Sequence, residues 1–218
     1  MRKVIFLTLL CFSLFADPPK AIVFDYGGVV AKVDRKPTLH FIAQSLGKPY
    51  RKVKRKFSHE KLYHAFIQPR SFWEEYSGKK LSESWFADLE DHKQHMVREI
   101  PGMRELIVKI KSQGIQVVLL SNTNVHRARF IESMGGYDLF DPILLSCYLG
   151  VRKPDPKIYQ SLLKSLIWDA KDMVFIDNQK SNVKASKKFG IDGIPFESVE
   201  QLKLELEKRK VTLLTNAD

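Results

Sequence analysis

Cysteine is nearly absent from the 218 residues: only Cys11 and Cys147 occur, so no disulfide framework can hold the fold. Stability must come from a packed core. Long apolar runs are missing too. The longest, residues 4–15, falls well short of the roughly 20 residues needed to cross a bilayer. There are no repeats or low-complexity tracts. A nucleotide-binding glycine loop is also excluded, because Gly78-Lys79-Lys80 lacks both the upstream glycine and the hydroxyl residue such a loop needs. Acidic charge is in deficit, with 36 Lys and Arg against 25 Asp and Glu, a net +11. That surplus favours anionic partners, whether small molecules, nucleic acid or lipid, without choosing among them.

What is present begins with two cations, Arg2 and Lys3, followed by the apolar block and a small residue, Ala16. This is the layout of a secretory signal peptide over residues 1–16. It predicts an exported protein, periplasmic or secreted, with no stable membrane insertion once the leader is cut. Cytoplasmic residence is the alternative if the block is a first core strand.

Beyond it, hydrophobic content of 44% suits one globular domain with an insertion. The runs AIVF (21–24), IQVVLL (115–120), PILLS (142–146) and MVFI (173–176) predict buried strands. Residues 102–113, 124–134, 155–166 and 181–189 predict helices, most of them closing at a glycine. Such alternation means an α/β fold, a Rossmann-like doubly wound parallel sheet with helices on both faces. Residues 33–100 break the rhythm. They hold no convincing strand but do hold helix-like pieces at 37–47, 58–67 and 82–97, and they predict a helical cap inserted into a core of 17–32 and 101–218. Phe72, Trp73, Tyr76, Trp85 and Phe86 should anchor that cap. RKVKRK (51–56) is expected to be a solvated face and not a nucleic-acid site, and His92 and His95 to lie on a cap helix and not to bind metal.

Each predicted strand ends in a polar residue: Asp25, then Ser121-Asn122, then Asp177-Asn178. A further loop brings Lys153. In a parallel sheet these ends share one edge, where ligands bind. After Asp25, Gly27 and Gly28 would let the backbone curl round a ligand in conformations closed to other residues.

The four ordered motifs FDYGGV, LLSNT, the lysine of RKPDPKIY and FIDNQKSNVKASKKFG resemble those of the haloacid dehalogenase-like hydrolase superfamily. The branch is the one whose helical cap follows the first strand. The chain is similar to its bacterial sugar-phosphate phosphatases and to the phosphatase domain of epoxide hydrolases. The resemblance implies strand order 5-4-1-2-3 and a Mg²⁺-dependent phosphatase acting on a small phosphorylated metabolite. Asp25 would be the nucleophile that forms an aspartyl-phosphate. Ser121 and Lys153 would hold the phosphoryl group, with Gly27, Gly28 and Asn122 around it. Magnesium would sit on Asp25, the Gly27 carbonyl, Asp177 and Asn178. Two departures stand out. Gly27 replaces the aspartate that usually protonates the leaving oxygen, and Asn178 replaces an acid, which predicts weaker Mg²⁺ binding and reduced activity. The alternatives are a phosphate-binding relative without turnover and a dehalogenase whose Asp25 attacks carbon.

Overall fold

The computed structural model describes residues 17–58 and 60–213. The leader expected over 1–16 lies outside them. Five strands form the central sheet: β1 (Ala21–Phe24), β4 (Gln116–Ser121), β5 (Ile143–Leu145), β6 (Met173–Asp177) and β7 (Asp192–Pro195). Their order is β5-β4-β1-β6-β7 and every pairing is parallel. Numbered within the core alone, this is the expected 5-4-1-2-3.

Alternation along the central strands explains why both faces are covered. Ile22, Phe24, Val117, Leu119, Val174 and Ile176 point to one side, and Ala21, Val23, Val118, Leu120, Met173 and Phe175 to the other. The first side packs on α6 (Met103–Lys111), α7 (Val125–Ser133) and α11 (Val199–Glu207). The second packs on α9 (Pro156–Lys164), with α10 (Lys180–Lys187) beside β6 and β7. The short α8 (Ser146–Leu149) begins at the serine that the sequence reading had assigned to the strand.

The intervening segment carries α1 (Lys36–Ser45), α2 (Tyr50–Lys56), α3 (Glu60–Phe66), α4 (Arg70–Ser77) and α5 (Glu83–Gln94). They bury a cluster of their own around Leu39, Ile42, Phe57, Leu62, Trp73 and Trp85. Burying one such side chain is worth about 1.5–3 kcal/mol. Trp73 and Trp85 are buried, whereas Phe72, Tyr76 and Phe86 pack at the margin of the cluster. On α2 only Val53 is buried, so RKVKRK is a solvated face. His92 stacks on Phe41 and His95 caps toward the Asp91 carbonyl; among the described residues no cluster of three His, Cys, Asp or Glu is placed to hold a metal.

The expectation of no strand here fails at both ends of the segment. β2 (Ala31–Val33) pairs antiparallel with β3 (Val97–Glu99), a ribbon at its base. Three-residue strands reading AKV and VRE carry no apolar run, so only their mutual pairing reveals them.

Candidate active site

At the end of β1 the chain makes a tight turn. The Tyr26 carbonyl accepts from the N–H groups of Val29, Val30 and Ala31, at 3.3, 2.9 and 3.1 Å, and Gly28 N–H donates to the Ala31 carbonyl at 2.9 Å. Gly28 has φ +86°, in the left-handed region, and a Cβ there would stand 2.5 Å from Asn178 Nδ2. The left-handed φ is what requires glycine, since the exposed Asn178 side chain could swing aside. Gly27 is different. It does not adopt positive φ, so the expectation that both glycines need special backbone freedom holds only for Gly28. An added Cβ at Gly27 would lie 3.4 Å from Arg127 Nη2, close to an ordinary contact, so space alone does not demand glycine there.

Asp25 follows the last residue of β1, and Asp177 ends β6. Both converge on Lys153, whose Nζ donates to Asp25 Oδ1 at 2.8 Å, Asp177 Oδ2 at 2.7 Å and the Leu120 carbonyl at 2.6 Å. An ammonium has three N–H donors, and these contacts use all of them. The group is almost dry, with exposures of 7% for Asp25, 3% for Lys153 and 0% for Asp177. Lys153 also lies 5.2 Å from the centre of the Phe175 ring. Burial pushes the Asp25 carboxyl above its ordinary value, and the charge of Lys153 offsets only part of that.

Asn122 has a task that its place in the motif did not disclose. Its Nδ2 donates to the Lys153 carbonyl at 2.9 Å and its Oδ1 accepts from the Lys153 N–H at 2.8 Å. It thereby clamps the loop that delivers the lysine. Ser121 is buried at the last position of β4 and is not among the residues lining the cavity. That cavity, about 510 Å³, opens in front of Asp25 and is lined by Gly27, Gly28, Asn122 and Lys153. Tyr63 from α3 lines it too, as does Arg127 from α7. Sequence reasoning passed over both. Arg127 was legible in principle, because it lies three residues after Asn124, whose side chain caps α7 by accepting from Arg127 N–H at 2.9 Å.

Whether this site fits magnesium depends on which oxygens face the cavity. Asp177 does not qualify, contrary to the expected ligand set. Its Oδ2 accepts from Lys153 and from Asn182 Nδ2 at 3.0 Å, and its Oδ1 accepts from Gln179 N–H at 2.8 Å. It is wholly buried beneath the lysine. Asp25 and Gly27 line the cavity, and Asn178 is exposed beside Gly28 just outside that lining. One carboxylate, one carbonyl and one amide suit a Mg²⁺ ion that keeps several waters and shares the substrate's phosphate, which is how that ion is usually held.

The sequence pattern of the haloacid dehalogenase-like hydrolases matches residues 22–195. A phosphorylated carbohydrates phosphatase of Thermotoga maritima is 29% identical over 193 residues, covering 80% of this chain and 83% of that protein. A sesquiterpene phosphatase of Aspergillus oryzae is 34% identical over 95 residues, covering 42% and 47%. The chain spans about half or less of the length of the first curated relatives it matches. Among solved structures, a HAD family enzyme of Bacteroides thetaiotaomicron in complex with magnesium and inorganic phosphate superposes with TM-score 0.56 at 23% identity, covering 83% of this chain and 96% of that one.

Proposed function

This chain belongs to the haloacid dehalogenase-like hydrolase family and is a hydrolase; from that premise we propose that it is a phosphatase acting on a small phosphorylated metabolite. The observation that carries the proposal is the dry Asp25–Lys153–Asp177 group at three converging chain segments, facing a cavity large enough for a metabolite. The phosphatases among the relatives point the same way.

The proposed chemistry has two steps. Asp25, steered through Oδ1 by Lys153, turns its other oxygen on phosphorus. A bond forms between that oxygen and phosphorus while the bond to the leaving oxygen breaks. Water then attacks the aspartyl-phosphate, phosphate departs and the Asp25 carboxylate is restored. Gly27 has no proton to give, so the leaving oxygen takes its proton from water, at a cost of about 10²- to 10⁴-fold for poor leaving groups. Asp177 and Asn122 act on Lys153 and not on the substrate. Backbone N–H groups near Asn122, which lines the cavity, supply fixed donors to the phosphoryl oxygens, whereas Ser121 is buried outside that lining and the N–H groups of Gly28 to Ala31 are spent within the turn. Mg²⁺ would be held by Asp25, the Gly27 carbonyl and Asn178, and supplies positive charge that offsets repulsion between two anions.

A panel of acyl, sugar and aryl phosphates assayed with and without Mg²⁺ tests this. Wild type should release phosphate, fastest from acyl phosphates, whose leaving groups need little protonation, and Asp25→Asn should release none. Chloride release from 2-chloropropionate in place of phosphate release would hand the site to dehalogenation, and silence on every ester would favour a binding protein without turnover.

A further inference from the structure

Charge around the cavity is lopsided. Among its lining residues Asp25 is the sole acid, whereas Lys32, Arg35, Arg127 and Lys153 are all basic. Lys153 is answered from below by Asp25 and Asp177. Arg127 is not so placed. Its Nη2 hangs over Gly27, and its Nε is buried with no hydrogen-bond partner. A buried guanidinium N–H left unpaired is costly until an acceptor arrives, and a bidentate oxyanion is the acceptor its geometry fits. At the cavity rim, Lys32 on β2 stands directly across the ribbon from Arg98 on β3. Like charges opposite each other in antiparallel strands repel, so the fold carries positive charge here that it does not itself neutralise.

One phosphoryl group brings a charge of about −1.5 to −2 at neutral pH. Arg127 and the field of Lys153 can meet it beside Asp25. Lys32 then remains at the mouth with its charge unmet, in a cavity of about 510 Å³ that a lone phosphate would leave mostly empty. We propose that the site selects a phosphorylated metabolite bearing a second anionic group, with Arg127 gripping the phosphoryl end and Lys32 meeting the second anion at the rim. The proposal rests on the phosphatase reading for which end is cleaved. The preference itself is a matter of binding.

Glycerol 3-phosphate and 3-phosphoglycerate form a matched pair, since the second carries a carboxylate where the first has a hydroxymethyl group. Calorimetric titration of the protein at low ionic strength should find 3-phosphoglycerate bound about tenfold or more tightly, the scale of one charge-assisted contact. Lys32→Ala should shrink that ratio to about threefold or less, and Lys32→Arg should keep it. Arg127→Met should weaken both ligands, with Arg127→Lys restoring part of the loss. Equal binding of the pair by wild type, or a ratio that survives Lys32→Ala, overturns the proposal. Phosphate release followed in parallel separates the two claims. A preference without release sinks the phosphatase reading alone, and release without a preference sinks this one alone.

Discussion

Asp25 is held in a place that works against its own ionisation. Burial is the largest influence on it and raises its pKa, and Lys153 at 2.8 Å counters only in part. Below the ordinary carboxylate range the group is protonated in folded and unfolded chains alike. As pH rises, the unfolded chain ionises first, so the native state loses stability until the folded carboxyl has ionised too. Asp25→Asn should therefore abolish turnover and yet melt higher than wild type at neutral pH, with a gap that closes as pH falls toward 3.8; thermal melts of both proteins across that range check it. The same reasoning sets the acid limb of kcat/KM above the ordinary aspartate range, because only the ionised form attacks. At Asn178 the missing charge is the issue. Asn178→Asp should tighten Mg²⁺ binding by about tenfold or more, read by calorimetry, and an unchanged affinity would remove Asn178 from the metal set. At this scale Asp25 and Asp177 stood out in the sequence because each is an acid that closes an apolar run, while Lys153 stood out only through the RKPDPKIY motif. The sequence could not disclose that Asp177 spends both oxygens below the lysine, or that Asn122 clamps the backbone of Lys153, since those are relations across distant segments.

Strands with unbroken apolar runs were legible because a sheet covered on both faces needs them, and AIVF and MVFI came within a residue of the observed bounds. β7 escaped for the opposite reason: DGIP, with its acid, glycine and proline, has the composition of a turn and becomes a strand only through pairing with β6. The final helix runs Val199–Glu207 and starts where it does because Ser198 caps it by accepting from Gln201 N–H at 3.1 Å. The link between the helical layer and the sheet was not legible at all. Phe130 on α7 meets Tyr63 and Phe66 of α3 at ring-centre distances of 5.6 and 5.7 Å. Such pairs are worth about 0.5–1.5 kcal/mol each beyond area burial. Phe130→Ala should thus cost at least about 1–3 kcal/mol in chemical denaturation, with the lost burial added to that, and because Tyr63 lines the cavity it should raise KM more than it lowers kcat.

Across the whole molecule, basic residues outnumber acidic ones, and the cations of α2 face solvent around the single buried Val53. No described helix is long and apolar enough to span a membrane. Export through residues 1–16 remains our proposal, and N-terminal sequencing of the protein recovered from the periplasm or medium should find Asp17 first. An intact Met1 recovered only from cytosol would refute it.

The ribbon of β2 and β3 brings the start and finish of the helical layer side by side. Val33 is paired with Val97, and the Asp34 N–H donates to the Met96 carbonyl at 2.9 Å. Two adjacent antiparallel rails need only a hairpin turn to join them. The roughly sixty residues between are therefore an excursion that leaves and rejoins at one doorway, and the parallel sheet owes them no connection. Lengthening, shortening or exchanging that excursion alters what roofs the cavity while the acid and its lysine keep their footing.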